Sequence, residues 1–388
     1  MFEVEQIFAD HKDVIHDIAY DYYGRRMATC SSDHTVWDEN DKGKWSVSNS
    51  WKAHSGSVWR ISWAHPEFGQ VLATCSFDRT ASVWEEVVGE KVAATMTPTR
   101  RWVRRTTLVD SRTSVTAVEF APKYLGLLVA TASADGIIRI YEAPDIMNLS
   151  QWTVQHEIAN KLPLSCLSWN PSTYLLSSQL IAAGSDETAS PTGKVLIFAY
   201  SENARKCTKL DTINEITEPV HDIAFSPNVG RSFHVLAVAS KDLYIINIKG
   251  LPGNNFKLDI HTVKFSDHNC PVWRVCWNMM ATILASTGDD GCVRIWRMNY
   301  SKNWRCAAVL KAEGTTPSYE TALHSVNCSN ASGATTKYYK KGIISNPNQV
   351  PCIPESFSTN FYIHKNCHGD ISVIDLFHLF TENSVKPS

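Results

Sequence analysis

The sequence predicts an all-β protein, a six-bladed β-propeller. Three observations carry that prediction. A six-residue pattern occurs six times, as Ile15-His16-Asp17-Ile18-Ala19-Tyr20, as Val58-Trp59-Arg60-Ile61-Ser62-Trp63, and again from Val115, Leu164, Val220 and Val272. Each copy is followed by an aliphatic-Ala-x-x-Ser/Gly run, at 27–31, 72–76, 129–133, 181–185, 236–240 and 284–288, and then by an aspartate. A third apolar run closes on an aromatic in most copies, and a more polar fourth run often opens on Trp45, Trp102, Trp152 or Trp304. Four short strands per unit, repeated, are the signature of a propeller of WD repeats.

Each element has a local reason. Within the six-residue pattern, the fourth and sixth residues share a strand face because side chains alternate with period 2. The first lies an odd number of positions away, so a bulge is expected at the strand start. Small residues in the second run permit close sheet packing. The aspartates Asp33, Asp78, Asp135, Asp186, Asp242 and Asp290 read as turn residues that accept from backbone or a nearby hydroxyl. His11 and His54 precede the first strand and are expected to join them in a structural hydrogen-bond network.

Taken in order, residues 1–10 alternate through Phe2 and Val4 before Ile7 and Phe8. They read either as the outer strand of the last blade or as the start of an unpaired edge. Blade 1 covers residues 11 to about 51. In it Trp37 follows Asp33 by four positions, where the aromatic follows Asp78, Asp135 and Asp290 by six. By that spacing two residues are missing there, which predicts a cramped turn and a shorter third strand on the same faces. Blade 2, from about residue 54, is the most regular and leads to the basic run Arg100-Arg101-Trp102-Val103-Arg104-Arg105, read as a solvated outer strand. Blades 3, 4 and 5 span about 108–157, 158–215 and 216–264, with an expanded turn in blade 4 after Ser185. Blade 6 runs from about 267 to 310 with the turn Gly288-Asp289-Asp290-Gly291. The propeller is thus placed at 1–311. Residues 312–388 form a tail, rich in Ser, Thr, Asn, Gly and Pro through 360, that reads as largely disordered with an apolar end.

The bulk numbers exclude some functions. A net charge of −2 gives no electrostatic case for direct nucleic-acid binding. The eleven cysteines contain no CxxC pair and read as reduced, mostly buried thiols. The start does not read as a signal peptide, and no run of about 18 apolar residues occurs. There is no Gly-rich phosphate loop, no His-Glu-x-x-His and no paired cysteine ligands, so no enzyme, cofactor, metal or small-molecule substrate is expected. His16-Asp17 and His221-Asp222 stand at equivalent places, but neighbours on a strand point to opposite faces and make no dyad. Gly24-Arg25-Arg26 lacks the surroundings of a phosphoinositide site, and Trp37-Asp38-Glu39-Asn40 lacks the arginine of a ubiquitin-ligase receptor motif.

Longer runs carry a family resemblance. Asp10-His11-Lys12-Asp13, His54-Ser55-Gly56-Ser57-Val58-Trp59-Arg60, Trp63-Ala64-His65-Pro66-Glu67-Phe68-Gly69-Gln70, Tyr141-Glu142-Ala143-Pro144-Asp145 and Pro219-Val220-His221-Asp222-Ile223-Ala224-Phe225 resemble the Sec-thirteen-like WD-repeat nucleoporins of the Seh type. Such runs extend to about residue 311; the tail matches nothing in that family. The resemblance implies an open six-bladed propeller that serves as a non-enzymatic scaffold. A helical-solenoid nucleoporin would insert a β-blade between the first and last blades. It implies partners in the Y-shaped outer-ring complex of the nuclear pore and in the GATOR complex upstream of TOR signalling. Membrane contact would come only through those complexes; the locations implied are the nuclear envelope with its pore complex, the lysosomal membrane, and the kinetochore.

Exposed strand edges fit that expectation, because a partner strand can satisfy their free backbone groups. The insertion edge is expected at Phe2, Val4 and Ile7, at Ile18, Tyr20 and Trp37, and at Val272, Trp273 and Trp296. Two other readings use the same pattern. A closed propeller would be an adaptor binding peptides on its top face, and a matched outer strand from residues 2–8 on blade 6 would favour it. A Sec-thirteen-like subunit of a vesicle coat is the other.

Overall fold

The computed structural model describes residues 2–8, 11–41, 45–89, 100–172, 179–228, 230–251, 254–299, 303–311, 359–365 and 371–372. The first strand is β1 (Phe2–Phe8). Blade 1 consists of β2 (Ile15–Tyr20), β3 (Arg26–Ser31), β4 (Thr35–Asp41) and β5 (Trp45–Lys52). Blade 2 is β6 (Val58–Trp63), β7 (Val71–Ser76), β8 (Ala81–Val88) and β9 (Arg100–Leu108). Blade 3 is β10 (Val115–Phe120), β11 (Leu128–Ser133), β12 (Ile137–Glu142) and β13 (Thr153–Ala159). Blade 4 is β14 (Cys166–Trp169), β15 (Gln179–Gly184), β16 (Val195–Ser201) and β17 (Lys206–Ile213). Blade 5 is β18 (Asp222–Phe225), β19 (His234–Ala239), β20 (Leu243–Leu251) and β21 (Asn254–Phe265). Blade 6 is β22 (Val272–Trp277), β23 (Ile283–Gly288), β24 (Cys292–Met298) and β25 (Trp304–Lys311). Each blade is one antiparallel four-stranded sheet, its strands in chain order.

The bulge expected at the first strand is present in four blades. The pairing register slips between Ile15 and Asp17, Val58 and Arg60, Val115 and Ala117, and Val272 and Arg274. The slip returns the first aliphatic to the face of the fourth residue. Blades 4 and 5 reach the same end differently: their strands begin two residues later, at Cys166 and Asp222, and pair without a slip. Second strands such as Val71–Ser76 and Leu128–Ser133 are buried at every position, since they lie between two neighbouring blades.

The expected cramping of blade 1 is not found. Trp37 pairs with Thr29, just as Ser82 pairs with the equivalent Thr74, while Trp84 pairs with Leu72. The two turns have the same length, and His34 and Arg79 both take a left-handed conformation at φ 69° and 73°. No residues are missing. The aromatic has moved two positions along the strand, and Glu39 stands where blade 2 has Trp84.

The N-terminal strand follows neither expected course. Blade 6 has four strands of its own, and β1 is not among them. Instead β1 pairs in parallel, along all its length, with β26 (Thr359–Lys365), which pairs in turn with β27 (Ile371–Ser372). The tail therefore contributes two short strands; the rest of 312–388 lies outside the described residues, as do the side chains of Phe2, Val4 and Ile7.

Candidate functional site

Five of the six joints between blades are packed by apolar clusters that cross them. Blades 1 and 2 share a cluster containing Ala28, Val36, Ile61 and Trp84, and similar clusters cross the joints from blade 2 through to blade 6. At the sixth joint two clusters remain separate. Blade 1 presents Ile15, Ile18, Met27 and Trp45, with Tyr20 against them. Blade 6 presents Ala285, Val293, Ile295, Ala308 and Leu310, with Cys276 and Ile283 against them. Neighbouring first strands pack closely around the ring from β2 to β22, and β22 and β2 pack less closely than any of these pairs. The buried members of both faces are closed to solvent in the isolated chain.

This geometry sorts the residues expected at the insertion edge. Ile18 and Tyr20 do belong to the blade 1 face of the joint. Val272 and Trp296 do not belong to the blade 6 face; they pack toward blade 5 with Leu243 and Ile245. Trp273 is 46 % exposed, stacks on His221 at 4.2 Å between ring centres, and donates its Nε1 hydrogen to Asp289. Trp37 stacks on His11 at 4.9 Å and donates to Thr35 Oγ1 at 3.0 Å. The blade 6 residues that face the joint were missed because they carry no pattern of their own. They lie one face over from the conspicuous aromatics, a shift of one residue along a strand.

The turn aspartates split into several arrangements. In blade 2, His54 bonds Asp78 at 3.1 Å and Thr74 Oγ1 at 2.8 Å, and Trp84 Nε1 donates to the same Oγ1 at 3.0 Å. Blade 6 repeats this with His268, Asp290, Ser286 and Trp296, and blade 1 with His11, Asp33 and Thr29 but no tryptophan. Desolvation pushes the Asp33 and Asp78 carboxyls up. The hydrogen bonds from His11 and Thr35, and from His54 and Thr80, outweigh it and hold both well below the usual carboxylate range. Asp135 instead takes Ser133 Oγ and the Ile137 amide, and Asp242 takes Lys264 at 2.7 Å. Asp186 makes no hydrogen bond among the described residues. It stands five positions after Ile181, where Asp33 stands six after Met27, so Glu187 occupies the turn position and Asp186 the exposed one before it.

Two motifs with outside functions are absorbed by packing. Arg26 is buried and fixed by Asp38 and Glu86, the latter at 2.9 Å, so it does not face a lipid surface. In the basic run, Trp102 is buried and donates to Asp38 Oδ2 at 3.1 Å. Arg105 pairs with Glu85 at 2.6 Å, and Arg104 lies 5.9 Å over Trp84. The cysteines described are all free thiols.

A buried ionic group lies where the first strands converge. It is built from the third residue of the pattern in four blades: Asp17, Arg60, Asp222 and Arg274. Arg60 Nη2 donates to Asp222 Oδ1 at 2.6 Å, from blade 2 to blade 5, and Arg60 Nη1 lies 3.8 Å from Asp17. Arg274 lies 3.6 Å from Asp17 and 3.9 Å from Asp222, and donates to the His16 carbonyl. Each aspartate also accepts a backbone amide from the next blade, Ile61 at 2.9 Å and Val275 at 3.1 Å. Burial raises the Asp17 carboxyl to about 6, with Arg60 acting against it, and raises Asp222 likewise. Asp17, Arg60 and Asp222 line a cavity of about 290 Å³. The aspartates were noticed in the sequence as a repeated His-Asp; the two arginines that answer them were not.

Comparison with known proteins agrees with the architecture. Residues 2–38, 45–85 and 260–297 match the family "WD domain, G-beta repeat". The chain is 75 % identical over 355 residues to "Nucleoporin seh1" of Drosophila melanogaster, covering 90 % of this chain and 99 % of that one. It is 58 % identical over 325 residues to "Nucleoporin SEH1" of Homo sapiens, covering 81 % of this chain and 90 % of that one. A chain in the "Crystal Structure of Mitotic Checkpoint Complex" superposes with a TM-score of 0.55 over 74 % of this chain and 76 % of its own, at 14 % identity, a likeness of fold alone. The chain belongs to the SEH1 family of nucleoporins, WD-repeat propellers whose role is structural rather than enzymatic.

Proposed function

We propose that this protein is a scaffold subunit of the nuclear pore outer ring, and that it binds a helical-solenoid nucleoporin by accepting an inserted β-blade at the joint between blades 6 and 1. One observation carries the reading. The second and third WD matches begin near an outer strand and run through the following blade: 45–85 starts at β5, and 260–297 within β21. The first match, 2–38, begins at β1 in the same register. By that register β1 is the outer strand of a seventh blade. Blade 6 already has its own four strands, so the inner three of the seventh are missing from the ring among the described residues. Three strands from a partner would complete it by β-augmentation and pack between the two apolar faces of the joint. β1 does pair with β26, but in parallel, whereas the strands within each blade are antiparallel. That pairing is the wrong sense for a blade and would give way to a partner strand.

The same surface serves the other expected roles: membership of the Y-shaped complex at the nuclear envelope, and a second place in the GATOR complex at the lysosomal membrane, with kinetochore association through the same partners. The test is co-purification of the full chain with an N-terminal segment of a solenoid nucleoporin, with mass by light scattering and hydrogen exchange. A one-to-one complex with new protection in β1, β2 and β24 is expected. A monomer that ignores the segment, or a complex protected only on a propeller face, would overturn blade insertion.

A further inference from the structure

The open joint has a tie across it. Arg274 of blade 6 donates a hydrogen bond to the carbonyl of His16 in blade 1. The same guanidinium lies 3.6 Å from Asp17 in blade 1 and 3.9 Å from Asp222 in blade 5. The other five joints are held by apolar clusters and by bonds between successive first strands. Trp63 donates to the Ala19 carbonyl, the Phe120 amide to Ser62, the Trp169 amide to Glu119, the Phe225 amide to Ser168, and Trp277 to the Ala224 carbonyl. At the sixth joint, where no apolar cluster spans the two blades among the described residues, Arg274 reaches from one to the other.

We propose that Arg274 is a latch that holds blade 6 against blade 1 and sets the width of the joint before any partner enters. The proposal rests on the reading that a blade inserts there, but its own readout does not need a partner. Arginine suits the task because its rigid fork of five donors can reach a carbonyl and two carboxylates at once; a lysine ammonium is a point charge on a flexible stem. Asp17 and Asp222 are buried and share two arginines, so the ring cannot relax past this group without leaving a desolvated carboxylate short of a counter-ion. Arg60 supplies the complementary strut across the channel and keeps blades 1 and 5 in place while the joint moves. A joint of fixed width would be preorganised, and the inserted blade would lose less freedom on binding.

The experiment is hydrogen exchange on the partner-free full chain, comparing the parent with Arg274→Met and Arg274→Lys. Exchange should quicken about tenfold in β2 and β24, the strands bordering the joint, while β11 and β15 on the far side keep their protection. Arg274→Lys should fall between parent and Arg274→Met, and it guards against a methionine variant that does not fold. Uniform acceleration over all blades, in proportion to lost global stability, would make Arg274 an ordinary core ion and overturn the latch; so would unchanged exchange at the joint. A solenoid segment that fails to bind the parent would overturn blade insertion and leave the exchange result standing by itself.

Discussion

Glu119 Oε2 accepts the backbone amide of Trp169 at 3.0 Å, joining blade 3 to blade 4 with a carboxyl where blades 2 and 4 use the hydroxyls of Ser62 and Ser168. A serine carries no charge into the interior; a glutamate can. Burial pushes the Glu119 carboxyl up to about 8, against the pull of the Trp169 amide and Arg60. The folded state thus holds its proton more tightly than the unfolded chain, whose glutamates titrate near 4.3. The stability this gives is complete below the unfolded value and is lost as pH rises through about 8. Asp17, raised to about 6, adds the same trend over a narrower range. Thermal melts of Glu119→Gln, which keeps an acceptor for the amide, should show a shallower fall between pH 5 and 8.5. At pH 8.5 the variant should melt a few degrees above the parent, the size of an effect of about 1 kcal/mol. Parallel pH profiles would rule out Glu119 as the source.

Thr74 Oγ1 holds two partners at once, His54 Nε2 and Trp84 Nε1, both inside blade 2. Thr74→Val keeps the volume and removes the hydroxyl, which strands two buried polar groups. The expected loss is about 1–3 kcal/mol in a denaturant melt. Thr29, its equivalent in blade 1, bonds His11 with no tryptophan behind it, so Thr29→Val should cost less. Equal losses in the two variants would show that the indole bond contributes nothing.

What could be read in advance follows from repetition. Strand identity, the bulge at Ile15 and the blade count were legible because each was written several times, and period 2 converts spacing into faces. The blade 1 turn misleads for the same reason: spacing alone makes Trp37 the counterpart of Trp84, and only the pairing of Trp37 with Thr29 shows that it is not. The joint was half legible. Ile18 could be placed from its pattern, but Ile295 and Leu310 are ordinary strand aliphatics, set apart only because their cluster takes in no residue of another blade among the described residues. Arg60 and Arg274 were invisible as a pair because 214 positions of sequence separate two residues that come to share Asp17 and Asp222 only when the ring forms.

The two faces of the joint should be separable from the fold by mutation. Tyr20→Glu on blade 1 and Ile283→Glu on blade 6 each put a charge on a partly buried residue packed against a face of the joint, where an inserted blade would meet it. Each should weaken binding of the solenoid segment by about 2–4 kcal/mol, the size of an interface hot spot. Met147→Glu, at a fully solvated position in blade 3, should leave binding unchanged. Circular dichroism must first show that the variants fold; Tyr20→Ala and Ile283→Ala are the milder versions where they do not. Normal affinity in folded variants of both faces would move the binding site away from this joint.

The parallel pairing of β1 with β26 makes the tail a competitor for the strand that a seventh blade would need. Deleting residues 312–388 removes β26 and β27 and leaves β1 with unpaired backbone groups. Two consequences follow. The amides of Phe2–Phe8 that bond β26 should exchange faster in the shortened chain when it is alone. They should be protected again when the solenoid segment is added, and association should be faster than with the full chain because no strand has to be displaced first. The six propeller blades should keep their melting temperature, since β1 is not a member of any of the six sheets. Slower association after the deletion would mean that the tail helps to form the joint rather than occupying its strand. Unchanged exchange in Phe2–Phe8 would mean that β1 is protected by something other than β26.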